Sequence, residues 1–271
     1  MRTSMKAFLA STVLAVSAFA AATPALADET APPSDFTVTG SATVASQYRF
    51  RGVAQSDNKP VIQGAITVAH SSGFYISTWG SSASAGTSPV NIGGTEIDVY
   101  GGYTKTISGV TLDGGVYGYI YPGFTPGNYV ELYGSVASTV GPVTAKVGAN
   151  FAPAQKVFNL NWTSPHRTNL YVYGELSGSI PNTPIFLHSH LGHTGGGFDY
   201  PKQYIDYTVG ATVKWKNLAL DASIVGTNIG RHDIAASNLA TYNPALTTAQ
   251  NVEAFYRTGK AVGVVSLTAS F

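Results

Sequence analysis

Residues 96–104 read Glu-Ile-Asp-Val-Tyr-Gly-Gly-Tyr-Thr (EIDVYGGYT). Period two puts Ile97, Val99, Gly101 and Tyr103 on one face of a strand and Glu96, Asp98, Tyr100 and Thr104 on the other. A soluble sandwich would bury the first face and show the second to water. Here the apolar face is smooth, and the polar face carries two acids and a tyrosine. A sheet with lipid outside and water inside satisfies both.

The same alternation runs on both sides of this stretch. Before it, Val38, Gly40, Ala42 and Val44 oppose Thr37, Thr39, Ser41 and Thr43, and Ile62, Gly64, Ile66 and Val68 oppose Gln63, Ala65 and Thr67. Residues 74–81 read as a strand of undecided phase. After it, apolar sets beginning at Leu112, Val130, Val143, Leu170, Leu187, Ile205, Leu218 and Gly263 alternate with sets that include Asp113, Glu131, Lys146, Glu175, His188, Asp206, Asp221 and Ser266. That makes twelve strands of the ~9–11 residues a tilted membrane strand needs.

The connectors alternate between short and long. Short ones fall at 71–73, 107–109, 139–142, 178–183 and 216–217. Long ones fall at 53–59, 82–94, 122–128, 152–168, 193–203 and 228–257. The pattern predicts an all-β fold, a transmembrane antiparallel up-and-down β-barrel of about twelve strands. Its short turns should be periplasmic and its long loops outside.

The ends and the composition agree. Arg2 and Lys6 precede an apolar run from Ala7 to Ala22, and Ala25-Leu26-Ala27 is an A-x-A cleavage signal. A signal peptide over 1–27 and a barrel over 28–271 are expected. Without Arg2 and Lys6 the balance is 13 basic residues against 14 acidic, which gives no electrostatic case for nucleic acid. With no cysteine there is no disulfide or thiol chemistry. The terminal Val265-Ser-Leu-Thr-Ala-Ser-Phe271 alternates and ends on an aromatic. It resembles the signal read by the outer-membrane assembly machinery.

Ser46-Gln47-Tyr48-Arg49-Phe50-Arg51-Gly52 reads as the end of the first strand. Its arginines would face the lumen, and Tyr48 and Phe50 the lipid. An arginine on lipid near the midplane costs ~2–4 kcal/mol. In this reading Arg49, Arg51, Glu96, Asp98, Glu131, Asp206 and Lys260 form a mixed-sign ring near the outer end, with Lys146 and Glu175 deeper. Glu96 and Asp98 are the expected partners of the two arginines.

Tyr48-Arg49-Phe50-Arg51-Gly52, Gln55-Ser56-Asp57, Gly73-Phe74-Tyr75, the 96–103 stretch, and Tyr121-Pro122-Gly123 with Asn128-Tyr129-Val130-Glu131 resemble the TorF-like family of proteobacterial porins. The resemblance covers most of the mature chain and implies an outer-membrane barrel and a pore. It implies no catalytic residue and no solute, and the segment 228–257 is not matched.

Other sites have plainer readings. His188 and His190 share a strand face, but a zinc site needs three or four ligands, so both read as polar lumen side chains. His70 and Ser72 have the spacing of an outer-membrane phospholipase pair, yet they sit at a periplasmic turn without an orienting third group. Glu96 and Asp98 have the look of a catalytic acid–base pair, but in a pore such acids tune selectivity. The lumen tyrosines read as filling rather than as a sugar track.

No catalytic residue, metal or cofactor is expected. The expectation is an outer-membrane channel for passive diffusion of small hydrophilic solutes, lined by Arg49, Arg51, Glu96, Asp98, Glu131, Lys146, Glu175 and Asp206. Membrane lipid and lipopolysaccharide should surround it, and Phe271 should engage the assembly machinery. The alternative is a non-conducting barrel with a structural or adhesive role through its outer loops.

Overall fold

The computed structural model describes residues 35–86, 89–158 and 167–271. The expected leader, 1–27, lies outside the described residues. The elements in chain order are β1 (Phe36–Ala45), β2 (Arg49–Phe50), β3 (Val53–Ala54), β4 (Val61–His70), β5 (Phe74–Ser82), β6 (Thr95–Ile107) and β7 (Val110–Ile120). Then come β8 (Tyr129–Val140), β9 (Val143–Ala152), β10 (Asn169–Ser179), β11 (Ile185–Gly196), β12 (Tyr204–Trp215) and β13 (Leu218–Thr227). Two helices, α1 (Arg231–Ala235) and α2 (Thr248–Gly259), precede β14 (Val262–Ser270).

Twelve of the strands close into an antiparallel barrel in which each pairs with its neighbour in the chain and β14 returns to β1. β2 and β3 stand outside this wall as a hairpin of their own. Closure leaves no free sheet edge along the shared length, the condition that any wall in lipid must meet, since lipid offers no partner for a backbone amide. The outward side chains are apolar: Ile62, Ile76, Val99, Leu132, Val147, Leu191, Val209 and Leu267 are all exposed. Outward aromatics sit near strand ends, at Phe74, Tyr103, Phe151 and Trp215, the depth that interfacial rings favour.

The undecided phase of β5 resolves with Phe74, Ile76 and Thr78 outward and Tyr75, Ser77, Trp79 and Ser81 buried inside. One of the two-residue connectors is Ser108-Gly109, with φ of +50° and +83°. Two positive φ values in a two-residue loop match the twist of the flanking strands.

The seam between first and last strands is short. It has five register pairs, Ser41↔Ser270 to Ala45↔Ser266. β1 meets β4 over ten pairs, from Phe36↔His70 to Ala45↔Val61. At the short-turn end of the seam, the amides and carbonyls of Gly40 and Phe271 bond each other at 2.8 and 3.0 Å. The Phe271 ring lies over Gly40, where an added Cβ would stand 2.5 Å from Phe271 Cε2.

The long segment after β13 folds as a lid. Ile229, Ile234, Leu239, Ala240 and Val252 form an apolar cluster with Tyr204, and Val53 of the hairpin packs against it. Thr247 caps α2 by accepting from the Gln250 amide while the Gln250 side chain accepts from the Thr247 amide, so two amides that a helix start leaves unpaired are satisfied.

Candidate functional site: the lumen and its plug

The sequence 46–52 does not extend β1. The wall has already run out there: Ala45 pairs with Val61, the first residue of β4. Beyond it the chain turns inward. Arg51 and Gly52 have φ of +47° and +78°, and β2 pairs with β3 through Arg49↔Ala54 and Phe50↔Val53. The result is a two-residue hairpin of the kind that needs positive φ at both central positions. An Arg-Gly turn lacks the usual Asn or Asp, so alternation alone reads the segment as a strand.

Tyr48 and Phe50 therefore face the interior of the barrel and not lipid. Tyr48 is buried against Trp79, with ring centroids 5.2 Å apart, and Phe50 meets Tyr119 at 5.6 Å. Burial of these rings turns the segment inward. The hairpin tip reaches across the lumen: a Cβ on Gly52 would stand 2.6 Å from Thr227 Cγ2 and 2.9 Å from Asp206 Cβ.

The expected pairing of the arginines with Glu96 and Asp98 is also replaced. Arg51 is 2% exposed and donates through Nη2 to both oxygens of Glu131, at 2.8 and 2.6 Å. Its guanidinium lies 4.2 Å from the Tyr171 ring centroid and 4.7 Å from that of Phe50. Glu131 also accepts from Tyr119 Oη at 3.2 Å and Asn150 Nδ2 at 3.1 Å. Among the described residues, Arg49 meets no carboxylate. It donates to Gln47 Oε1, to the carbonyls of Gly52, Thr258 and Lys260, and to Asn58 Oδ1. Arg49 thus fastens the hairpin to the end of α2. Asp57 and Arg257 add an ion pair at 2.6 Å. Lys260 itself is exposed and takes no part in an inner ring.

Glu96 and Asp98 face the lumen from β6, and each is 1% exposed. Tyr121 Oη donates to Glu96 Oε1 at 3.2 Å and Tyr117 Oη to Asp98 Oδ2 at 2.9 Å. Among the described residues, Glu96 Oε2 and Asp98 Oδ1 have no partner, and no cationic side chain pairs with either carboxylate. Lower in the lumen, Lys146 Nζ lies 3.7 Å from Glu175 Oε2. His190 bridges Glu175 and Asp206, at 3.3 and 3.2 Å, and contacts Tyr171 Oη at 2.6 Å. His188 pairs separately with Asp221 at 2.7 Å. The two histidines have different partners and do not converge.

The interior tyrosines stack on one another. Tyr100 lies on Tyr117 at 4.5 Å, and Tyr119 on Tyr129 at 4.2 Å. In these two pairs one face of each ring is covered by the other, whereas Tyr171 presents its ring to the Arg51 guanidinium. With the hairpin in place, the space among Tyr48, Phe50, Arg51, Asp98, Tyr171 and His190 is a cavity of about 20 Å³, room for about one water. At the short-turn end, His70 Nδ1 meets Ser72 Oγ at 2.7 Å and accepts from the Ser72 amide at 3.2 Å. This arrangement caps a turn, and Asp35 accepts from Ser71 Oγ instead of orienting the imidazole.

Among solved structures, the KdgM porin matches with a TM-score of 0.54 at 11% identity, covering 86% of this chain and 99% of that one. The NanC porin matches with a TM-score of 0.51 at 8% identity, covering 87% and 99%. A KdgM porin in complex with disordered oligogalacturonate gives 0.53 at 10% identity, covering 87% and 99%. At such identities the likeness is one of fold. No curated protein matches the sequence. These comparisons leave the TorF-like resemblance unconfirmed. Over residues 29–271 the chain belongs to the family described as "bacterial protein of unknown function (Gcw_chp)".

Proposed function

We propose that the protein is an outer-membrane channel for small hydrophilic solutes, held closed in this conformation by the 46–60 hairpin. The observation that carries the reading is the inversion of polarity across one closed wall. Outward side chains are apolar, while Glu96, Asp98, Glu131, Lys146, Glu175 and Asp206 line the inside. A bilayer outside and a hydrated path inside satisfy both faces. The resemblance to TorF-like porins and the fold shared with proteins named as porins support it.

In this reading the long loops face outside and the short turns face the periplasm. Lipid and lipopolysaccharide surround the wall, and the assembly machinery reads Phe271. No catalysis is assigned.

Purified, refolded protein in a planar bilayer tests the proposal. The wild type should show small or infrequent conductance steps. A double Arg49→Ser/Arg51→Ser variant should show larger and more frequent ones. Silence from both proteins, with folding verified, would falsify the channel. The filled lumen favours one second reading, a non-conducting barrel that acts through its outer loops. That silence is the result it requires.

A further inference from the structure

The lumen divides its charges by mobility. Glu96, Asp98, Glu131 and Asp206 are rooted in wall strands β6, β8 and β12. Arg51, the cation paired with Glu131, is carried by the hairpin, while Lys146 and His190 stay on wall strands β9 and β11 beside Glu175 and Asp206. When the hairpin leaves, the arginine leaves with it and the acids stay.

What Arg51 occupies has the form of a binding site. Glu131 is fully buried and presents both oxygens, held in place by Tyr119 and Asn150. The Tyr171 ring lies 4.2 Å beneath the guanidinium carbon, within the range of a cation–π contact. The occupant fits it incompletely. Arg51 binds through Nη2 alone, and its buried Nη1 has no partner among the described residues, while Asp206 Oδ2 nearby also has none. A guanidinium on a tether approaches from one direction and forgoes the two parallel bonds that a carboxylate offers a free one.

We propose that Arg51 is a tethered ligand in a lumen site for guanidinium-bearing solutes, and that such a solute opens the channel by displacing it from Glu131 and Tyr171. The proposal rests on the channel reading for its second half only. Occupancy of the site is independent of conduction. Glu96 and Asp98 have tyrosine partners but no cationic one among the described residues; wetted once the hairpin leaves, as carboxylates they would draw a cation toward the site and repel an anion. The expected solute class is therefore opposite in charge to the oligogalacturonate of the KdgM complex.

Chemical rescue tests the site. The refolded full-length barrel carrying Arg51→Ala should gain thermal stability on addition of millimolar guanidinium or methylguanidinium chloride. The midpoint should rise with the logarithm of concentration, as native-state binding requires. Potassium chloride at equal ionic strength should produce no such rise, and the Arg51→Ala/Glu131→Gln protein should not respond. Equal responses from both variants, or none from Arg51→Ala, overturn the site.

If Arg51→Ala does not fold, the wild type answers. Millimolar methylguanidinium should speed proteolytic cleavage within 46–60 in the wild type but not in Glu131→Gln, and equal rates overturn the proposal. Bilayer recordings separate the two readings. Rescue without current keeps the site and removes the channel. Current indifferent to methylguanidinium keeps the channel and removes the displacement.

Discussion

Arg49 and Arg51 are two residues apart and do different work. Arg49 saturates three backbone carbonyls and two side-chain oxygens at the junction of hairpin and lid. Its planar fork is what reaches them, and lysine has no equivalent geometry. Arg49→Lys should therefore loosen the hairpin almost as much as Arg49→Met. Each buried acceptor left unmet costs about 1–3 kcal/mol. The readout is the denaturation midpoint together with proteolysis within 46–60, and a wild-type profile for Arg49→Lys would refute this role. Arg51 is half of a buried ion pair, and removing one partner of such a pair costs ~3–5 kcal/mol. Glu131→Gln should lower stability on that scale, read in the same denaturation experiment.

At this scale the sequence was only partly readable. It was evident that 46–52 had a charged and an aromatic face. Alternation cannot say whether a strand lies in a wall or in a plug, since both have period two. The signal that decides is Gly52 at φ +78°, and a lone glycine after arginine is weak evidence for a turn.

The lid is an element whose attachment should depend on pH. Asp233 accepts from the Gly230 amide at 2.8 Å and pairs with Lys202 Nζ at 2.8 Å. The lysine, then the amide, hold its carboxyl below the usual range. Arg231 does the same for Glu253 at 2.7 Å. A depressed carboxylate contributes stability above its unfolded pKa and loses it as the pH falls through the folded value. Protection against amide exchange over α1 and α2, corrected for the intrinsic rate, should therefore fall as the pH drops below about 4, while protection in β6–β8 does not. Uniform protection across that range would show that these pairs do not hold the lid.

Gly40 belongs to this scale as well. Gly40→Val should push the Phe271 ring off the wall and lower the yield of folded barrel, judged by heat-modifiable gel mobility. Normal yield would separate Phe271 packing from assembly. The strands themselves were legible because an apolar exterior and a polar interior of one closed wall force strict alternation. The lid was not legible, since residues 228–257 carry neither period two nor a matched motif.

For the whole molecule, the alternation of short and long connectors sets the orientation to be tested. A membrane-impermeant thiol reagent on intact cells should label Ala245→Cys in the lid and spare Ser108→Cys in the β6–β7 turn. The reverse result would invert the barrel. The strand count could be read from the sequence because every hydrogen-bonding group of the wall must find a neighbour, which leaves no freedom to skip a strand. The filled lumen could not. Residues such as Glu131 and Arg51 lie 80 positions apart, and no local pattern brings them together.

The five-pair seam between β1 and β14 makes the barrel behave like a zip fastener with one weak end. Every other junction of the wall carries more register pairs, so under force or heat this one should part first. It should also be the last to form, because its two strands lie at opposite ends of the chain. Thr43 and Thr268 face each other across it, their hydroxyls 2.8 Å apart. A Thr43→Cys/Thr268→Cys stitch should raise the temperature at which the folded band converts to the unfolded one, and a reductant should return it. Pulled from its two ends in a single-molecule apparatus, the unstitched protein should open here before any hairpin of the wall gives way, and the stitched one should not.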